Sequence, residues 1–363
     1  MSTVYDKNMV VAEEQLDDKY TWYDVRKASV DVYGFDHEGE ELLSQRIPCK
    51  IAENVSQGVF HQSGFAAGGR VRFWTDSMSI AIQVEFANGN HPTCLCACAA
   101  HGLDLYLADE NGRETFLHAF RPTKNDMHHQ TLQSSVNMRE ALVRMGETNG
   151  AFLTLNLPLF MEVKKLYIGL EKGSQLSYGK KYRNDKPVIF YGSSITHGAA
   201  ASRPGNTYEA FISQKYNLNY VNLGFAGNAK GECEMAKYIA DRDMQVFVCD
   251  YDHNAPTVEY LMKTHYAFYE IIREKQPDIP YIMVSRPDFQ KHLYDSIKRR
   301  EVVRTSYEKA REKGDKNVYF IDGETLLAGE YHMSCTVDGT HPNDLGFYRM
   351  ADVIGKVLAE VMH

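Results

Sequence analysis

The chain has 363 residues, of which 44% are hydrophobic and 24% are charged, and its formal net charge is −8. This length suggests about two domains, and the composition is that of an ordinary globular protein. The negative charge argues against a general binder of nucleic acid or of acidic membrane surfaces, so we expect no nucleic-acid and no membrane partner.

The N-terminal segment lacks a basic stretch followed by an apolar one, and no apolar run reaches the ~18 residues of a membrane-spanning helix. We therefore expect a cytoplasmic protein. The cysteines number seven, and an odd count without an export signal argues against a disulfide framework. Cys94, Cys96 and Cys98 alternate, so on a strand they would share one face. We expect them to pack in the core rather than to bind a metal.

Apolar and polar side chains alternate repeatedly between residues 20 and 170. The clearest segments are 28–33, 70–75, 79–86, 103–107, 152–157 and 165–170. Turn dipeptides such as Asn111-Gly112 and Asn149-Gly150 separate them. Many short alternating strands with such turns are typical of an antiparallel sandwich. The pattern predicts a β-sandwich domain over residues 1–180, which ends in a polar connection.

From residue 188 onward the periodicity changes. Continuous apolar runs predict strands at Val188–Tyr191, Tyr220–Leu223, Val246–Cys249, Tyr281–Val284 and Val318–Ile321. Helical patterns alternate with them at Tyr208–Tyr216, Cys233–Arg242, Val258–Lys275, Asp295–Lys313 and Leu345–Met362. Alternating β and α elements with apolar strands indicate a parallel sheet covered on both faces. The sequence predicts a doubly wound α/β domain over residues 181–363.

The first of these strands runs directly into Gly192-Ser193-Ser194. Glycine allows the chain to bend sharply, and a serine just past the bend can present its hydroxyl to a crevice. Open α/β folds place their chemistry at this carboxyl edge of the sheet. We therefore expect a reactive serine here.

A second informative stretch contains Asp338 and His341, three residues apart before the last helix. A carboxylate there could hold one imidazole nitrogen and leave the other free to take a proton. Either Asn343 or Asp344 can then cap the helix.

Three further strand ends lie at the same predicted edge. A glycine amide within residues 222–228 could approach a reacting oxygen, and the Asn254 side chain could supply a second neutral donor. Arg286, after the fourth strand, could contact the substrate.

Serine, glycine, asparagine and histidine therefore follow one another in a fixed order, and this order resembles that of the SGNH (GDSL-like) hydrolase family. The resemblance covers roughly residues 187–363 and rests mainly on residues 192–198 and 337–347. In the first half, Gly102-Leu103-Asp104-Leu105-Tyr106 is similar to the Gly-x-Asp-Leu-Tyr signature of a jelly-roll-like domain that precedes some esterases of this family. The resemblance implies an SGNH-type three-layer α/β/α domain behind a β-sandwich.

Carried over by residue, the resemblance makes Ser194 the nucleophile, His341 the general base and then general acid, and Asp338 the group that orients His341. It implies an oxyanion hole made of the Ser194 amide, the Gly227 amide and the Asn254 side chain. Ser193 remains an alternative to Ser194, and Gly224 an alternative to Gly227.

The arrangement looks like that of carbohydrate acetylesterases of the acetyl xylan esterase type. We expect a serine esterase that deacetylates plant oligosaccharides without a metal or cofactor, and a homo-oligomer because this group often forms them. The alternatives are a lipid or aryl-ester acylhydrolase, and a carbohydrate-binding protein with an inactive hydrolase domain.

Overall fold

The computed structural model describes residues 18–36, 43, 45–90, 92–122, 131–147, 149–287, 289 and 291–362. The described residues form two compact units. The first consists of the residues up to Gln45, Gly64–Lys181 and Arg203–Gly205. The second consists of Arg46–Ser63, Tyr182–Ser202 and the residues from Asn206 on. The segment 46–63, which the sequence pattern assigned to the first domain, thus packs within the second unit.

The elements before residue 180 are mainly strands. They are β1 (Tyr20–Asp24), β2 (Asp31–Tyr33), α1 (Cys49–Val55), α2 (Gln57–Ser63), β3 (Arg70–Thr75), β4 (Ser79–Gly89), α3 (Ala97–Ala100), β5 (Leu103–Ala108), β6 (Glu114–Phe120), β7 (Thr131–Asn137), α4 (Arg139–Met145), β8 (Ala151–Asn156), β9 (Met161–Glu171) and β10 (Leu176–Tyr178). The alternating segments named from the sequence predominantly became strands, whereas the short helices were not predicted.

The first unit is a sandwich of two antiparallel sheets. One has the strand order β1-β9-β4-β7, and the other has the order β10-β3-β8-β5-β6 with β2 paired to β3. Alternate residues of β4, namely Ile80, Ile82 and Val84, share one hydrophobic cluster with Val71 and Phe73 of β3. Because every second side chain of a strand points to the same face, this alternation is what builds the core.

Asp104 of the Gly-x-Asp-Leu-Tyr stretch is buried within the first unit. Its carboxylate accepts hydrogen bonds from the Gly205 amide at 2.9 Å and from Asn156 Nδ2 at 3.0 Å. Burial raises the pKa of Asp104 to about 7, although both hydrogen bonds oppose that shift. The motif therefore anchors the short segment 203–205.

The cysteine prediction was wrong. Pro92 begins a turn that the Leu95 amide closes at 2.9 Å, and Cys96 precedes helix α3, so Cys94, Cys96 and Cys98 do not lie on a strand. Cys96 is exposed and the other two are half-buried. A proline-opened turn followed by a helix interrupts the strand pattern that alternation alone suggested.

The second unit follows the alternating pattern of the sequence. Its elements from residue 188 are β11 (Val188–Gly192), α5 (Ser194–His197), α6 (Tyr208–Tyr216), β12 (Tyr220–Gly224), α7 (Cys233–Ala240), β13 (Val246–Asp250), α8 (Val258–Lys275), β14 (Tyr281–Val284), α9 (Leu293–Glu312), β15 (Val318–Ile321), α10 (Gly323–Leu326) and α11 (Asp344–Val361). The five predicted strands and five predicted helices are confirmed to within two residues at each end.

The sheet of the second unit is parallel, with the strand order β12-β11-β13-β14-β15. Its core lies on both faces of the sheet, as the side chains of β11 show. Ile189 and Tyr191 pack in a cluster with residues of α7 and α8, whereas Phe190 meets Tyr208 of α6 with ring centroids 5.6 Å apart. Helices therefore cover both faces, as the three-layer prediction requires.

The register of the sheet defines the edge that carries the candidate site. Gly192, the last residue of β11, pairs with Gly224 of β12 on one side and with Asp250 of β13 on the other. The loops that follow these three strands thus start side by side. Among the described helices, none combines the length and the apolar character needed to cross a membrane.

Candidate active site

The serine turn, residues 192–198, is built around a close approach of the backbone. A Cβ on Gly192 would lie 2.0 Å from Thr196 Oγ1 and 2.5 Å from the Asp250 carbonyl oxygen. Both distances are far inside van der Waals contact, so only glycine fits at the bend. The turn ends at Gly198 in the left-handed region, with φ of 96°.

The two serines of this turn have different surroundings. Ser193 is 0% exposed and is the N-cap of α5, because its Oγ accepts a hydrogen bond from the Ile195 amide at 3.1 Å. Ser194 is half-buried, and its Oγ lies 2.9 Å from His341 Nε2. The geometry therefore gives Ser193 a capping role and pairs Ser194 with the imidazole.

The histidine loop, residues 335–343, supplies the other two predicted groups. His341 Nδ1 lies 2.8 Å from Asp338 Oδ2. The second carboxylate oxygen of Asp338 accepts the main-chain amides of Thr340 and His341 at 2.9 Å and 2.8 Å. Ser194, His341 and Asp338 thus form an unbroken hydrogen-bonded chain.

Asp338 is electrostatically suited to orient the imidazole. Partial burial raises its pKa, but the hydrogen bonds from the His341 amide and ring and from the Thr340 amide outweigh burial and lower the pKa to about 2. The carboxylate is therefore ionised at neutral pH. An ionised carboxylate at Nδ1 keeps a proton there and leaves Nε2 able to accept one.

The last helix begins directly after the histidine loop and is fixed by two neighbouring side chains. Asn343 is its N-cap, with Oδ1 accepting the Gly346 amide at 3.2 Å, which decides between the two predicted caps. Asp344 instead accepts the Ser202 amide at 2.8 Å and Asn206 Nδ2 at 2.7 Å. These bonds attach the start of α11 to the chain that follows the serine turn.

The glycine loop, residues 224–227, contains both candidate oxyanion glycines. The Gly224 amide already donates to Asn222 Oδ1 at 2.8 Å, and a Cβ on Gly224 would lie 2.2 Å from the His197 nitrogen. Gly227 is exposed with φ of 71°, and no described atom lies within 4 Å of the position of a Cβ. The geometry favours Gly227 over Gly224 as a donor to a bound group.

Asn254 lies in a short 3₁₀ turn after β13. Its Nδ2 donates to the Phe225 carbonyl oxygen at 3.0 Å, which links it to the glycine loop. An amide nitrogen carries two hydrogens, and this bond uses one of them. The structure thus ties Asn254 to the loop in which Gly227 lies.

Arg286 has a role that the sequence did not predict. It is 4% exposed, its Nη1 donates to Asp295 Oδ2 at 2.8 Å, and its amide donates to Asp252 Oδ2 at 3.1 Å. Arg286 is thus a buried side chain paired with Asp295, whose side chain is 45% exposed, and substrate contact by Arg286 stays a prediction without geometric support.

Sequence reasoning missed a buried polar group behind the site. Arg46 Nη1 donates to the Asn222 and Gly224 carbonyl oxygens at 3.0 Å and 2.8 Å. Burial lowers the pKa of Arg46 to about 9, although the nearby Glu209 opposes that shift, and burial raises the pKa of Glu209 to about 8. Arg46 and Asn222 are 176 positions apart in the chain, so no local pattern could reveal their contact.

The arrangement can perform acyl transfer with protein groups alone. It offers a hydroxyl beside a base, an ionised carboxylate behind that base, and a loop with an accessible glycine amide. Among the described side chains, no group of three or more histidines, cysteines or carboxylates is arranged to hold a metal ion.

Two family models match the chain. Residues 185–359 match the GDSL-like lipase/acylhydrolase family, and residues 20–176 match the model described as the N-terminus of SGNH hydrolase-type esterases. No curated protein sequence matches significantly.

Several solved structures share the fold over nearly the whole chain. A Bacteroides ovatus protein described as a GDSL-like lipase is 29% identical, with a TM-score of 0.81, and the match covers 94% of this chain and 98% of that one. The salicylyl-acyltransferase SsfX3 from a tetracycline biosynthetic pathway is 21% identical, with a TM-score of 0.74 and coverage of 95% and 98%.

An acetyl xylan esterase from the rumen bacterium Butyrivibrio proteoclasticus is 13% identical, with a TM-score of 0.58 and coverage of 94% and 98%. The structures at 21% and 13% identity show the fold. The family assignment rests on the two matched segments. Residues 185–359 of this chain are thus assigned to the GDSL-like lipase/acylhydrolase family, and residues 20–176 to the N-terminal domain of SGNH hydrolase-type esterases.

Proposed function

We propose that this protein is a serine esterase that hydrolyses carboxylic esters through an acyl-enzyme on Ser194. The observation that carries the proposal is the hydrogen-bonded chain from Ser194 Oγ through His341 to Asp338, with distances of 2.9 Å and 2.8 Å. A serine hydroxyl is a weak nucleophile at neutral pH unless an adjacent base removes its proton.

In the proposed reaction, His341 Nε2 takes the proton from Ser194 Oγ as that oxygen attacks the ester carbonyl. The amides of Ser194 and Gly227 and the side chain of Asn254 stabilise the resulting oxyanion. As the intermediate collapses, His341 returns the proton to the leaving alcohol. Water, activated by the same imidazole, then releases the acid and restores the serine. Asp338 remains ionised and stabilises the imidazolium in both steps.

We propose acetylated plant oligosaccharides of the xylan type as the substrate class. The support is the two-part architecture of the chain, since the matched acetyl xylan esterase spans both parts at 94% of this chain. The proposed mechanism uses protein groups alone and requires no metal or cofactor.

The test is acetate release from acetylated xylo- and manno-oligosaccharides, measured beside hydrolysis of p-nitrophenyl acetate and butyrate. Wild type, Ser194→Ala and the control Ser306→Ala are compared, because the Ser306 hydroxyl donates to a carbonyl of its own helix, that of Val302, at 3.1 Å. We expect Ser194→Ala to lower every activity by about 10⁴-fold or more, and Ser306→Ala to match wild type.

The outcomes separate the alternatives. Acetate release from the sugars that is lost in Ser194→Ala supports both mechanism and substrate class. Hydrolysis of the aryl esters alone overturns the saccharide proposal and favours an aryl-ester or lipid acylhydrolase. No turnover of any ester by wild type overturns the esterase proposal and favours a carbohydrate-binding protein.

A further inference from the structure

The peptide group between Ala226 and Gly227 is held from its carbonyl side. The Ala226 oxygen accepts hydrogen bonds from Gln62 Nε2 at 2.9 Å and from Asn228 Nδ2 at 2.8 Å. In a planar trans peptide, the carbonyl and the following amide point in opposite directions. The two donors therefore fix the direction of the Gly227 amide, which is the predicted oxyanion donor.

The two preceding carbonyl groups of the glycine loop are held in the same way. The Gly224 oxygen accepts from Arg46 Nη1 at 2.8 Å, and the Phe225 oxygen accepts from Asn254 Nδ2 at 3.0 Å. The Arg46 guanidinium also lies over the Phe225 ring, 4.7 Å from its centroid. Three successive carbonyls of one loop thus have side-chain donors from outside it.

Two of these donors come from one segment of the chain. Arg46 and Gln62 are buried at the two ends of residues 46–63, which contain α1 and α2. They are joined to each other, because Arg46 Nη2 donates to the Gln62 carbonyl oxygen at 2.8 Å. The Arg46 amide also donates to the Ser63 carbonyl at 2.9 Å. The segment therefore acts as a single support for the loop.

We propose that residues 46–63 position the oxyanion hole, with Gln62 and Arg46 as positioning residues that aim the Gly227 amide at the reacting carbonyl oxygen. This inference rests on the proposed esterase function. An oxyanion donor must lie within about 2.7–3.1 Å of the developing charge, and one such donor contributes roughly 10²–10³ in rate. Freeing the peptide to rotate would forfeit part of that factor without altering contacts to the rest of the substrate.

The test is Gln62→Met, which keeps the length of the side chain and removes the donor to Ala226. Among the described residues, Gln62 Oε1 has no hydrogen-bond partner, so the substitution also removes a buried polar atom that lacks compensation. We therefore expect the thermal midpoint to change little. With p-nitrophenyl acetate we expect kcat to fall about tenfold or more, with KM within about twofold of wild type.

The matched control is Gln276→Met. Gln276 Nε2 also donates to main-chain oxygens, those of Ala240 and Arg242, both at 3.0 Å, but it lies after α8, before the start of β14. We expect its kcat to equal that of wild type. A second variant, Asn228→Ala, removes the other donor to Ala226 from a half-buried residue and should lower kcat with KM unchanged.

The outcomes are distinguishable from failure of the proposed function. If wild type hydrolyses esters and both Gln62→Met and Asn228→Ala keep its kcat, the positioning proposal is overturned while the esterase stands. Equal losses in Gln62→Met and Gln276→Met would also overturn it, because they would show a general effect on packing. An inert wild type would instead overturn the esterase function itself.

Discussion

The serine turn and the histidine loop meet in the hydrogen bond between Ser194 and His341, but they are built in different ways. The turn is buried, and Ser193, Thr196 and His197 are all 0% exposed. The loop lies at the surface, with Val337 50% exposed and the Asp338 side chain 39% exposed. The proposed nucleophile thus comes from a segment that is packed into the core, and the proposed base comes from a segment at the surface.

The contacts that hold the two regions differ accordingly. Thr196 of the turn binds distant residues, since its carbonyl accepts Asn222 Nδ2 at 2.5 Å and its hydroxyl accepts from Tyr208 OH at 3.2 Å. The loop binds mainly itself, with the Val337 amide donating to the His341 carbonyl at 3.0 Å. Substitutions of buried residues in the turn should therefore change folding, whereas substitutions of the loop's functional groups should change activity far more than stability.

The largest effect is expected for His341→Gln. Removing the proposed base should lower kcat/KM by about 10⁴-fold, while the thermal midpoint stays within a few degrees of wild type because the loop's main-chain bonds remain. The control is His332→Gln, which changes an exposed histidine of the neighbouring turn. Substantial activity in His341→Gln would show that His341 is not the base. Unfolding of the variant would show that the histidine loop does contribute to folding through this side chain.

The next largest effect is expected for Asp338→Asn, which should lower kcat/KM by about 10³-fold or more. The Asn oxygen can still accept the Thr340 and His341 amides, but its nitrogen would face His341 Nδ1 and favour the tautomer that cannot take the serine proton. Asp243→Asn, at an exposed ion pair with Lys186, serves as the control. A variant with wild-type kcat/KM would show that Asp338 does not orient the imidazole.

The same carboxylate also predicts an effect of acid on stability. Because the folded-state pKa of Asp338 is lowered from 3.8 to about 2, its interactions stabilise the fold above about pH 4 and are lost as the pH falls to about 2. Asp338→Asn should therefore reduce the acid sensitivity of unfolding only in that window. If the difference in unfolding free energy between wild type and Asp338→Asn did not change between about pH 4 and about pH 2, the lowered pKa of Asp338 would not be its cause.

Replacing one glycine in the serine turn and one in the histidine loop should lower the stability of the protein by different amounts. Gly192→Ala should cost about 3 kcal/mol or more, because the new Cβ would meet Thr196 Oγ1 at 2.0 Å and the Asp250 carbonyl at 2.5 Å. Gly339→Ala, in the histidine loop with φ of 85°, should cost only about 1–2 kcal/mol for the left-handed backbone. Urea denaturation of both variants measures the two losses of unfolding free energy. Equal losses would show that the serine turn is no more tightly packed than the histidine loop.

The last effect, that of Glu209→Gln, is expected in the pH dependence of stability. Burial raises the pKa of Glu209 from 4.5 to about 8, so the folded protein keeps a proton that the unfolded chain has released between these values. This contribution is fully present below pH 4.5 and is lost as the pH rises through about 8, with a slope of up to about 1.4 kcal/mol per pH unit. In urea denaturations between pH 5 and 8, the Glu209→Gln variant should lack this slope of unfolding free energy against pH. An unchanged slope would show that Glu209 is not its source.

Much of the second unit could be predicted from the sequence because its signals are local. The strand Tyr281–Val284 and the helix Val258–Lys275 have the predicted bounds, since continuous apolar runs and helical periodicity depend only on neighbouring residues. Ser194, Asp338 and His341 could be singled out for the same reason, because Ser194 follows the first strand directly and the other two lie in a short motif before the last helix.

The remainder depends on contacts between distant parts of the chain. Nothing near Arg46 or Gln62 indicates that residues 46–63 support a loop beyond residue 220, so the segment was assigned to the first domain. Arg286 had the chemistry of a substrate contact, but its burial and its pairing with Asp295 depend on how α9 packs after β14. Such tertiary placement is not encoded in local periodicity.

The role of Ser194 as the nucleophile is tested most directly by treating the protein with a fluorophosphonate and identifying the modified residue by mass spectrometry. An activated serine displaces fluoride and forms an Oγ–P bond, so the mass increase and the labelled peptide identify the nucleophile. We predict one adduct, located on Ser194, absent in Ser194→Ala and strongly slowed in His341→Gln. An adduct on Ser193, or a Ser194→Ala variant labelled as fast as wild type, would show that Ser194 is not the nucleophile.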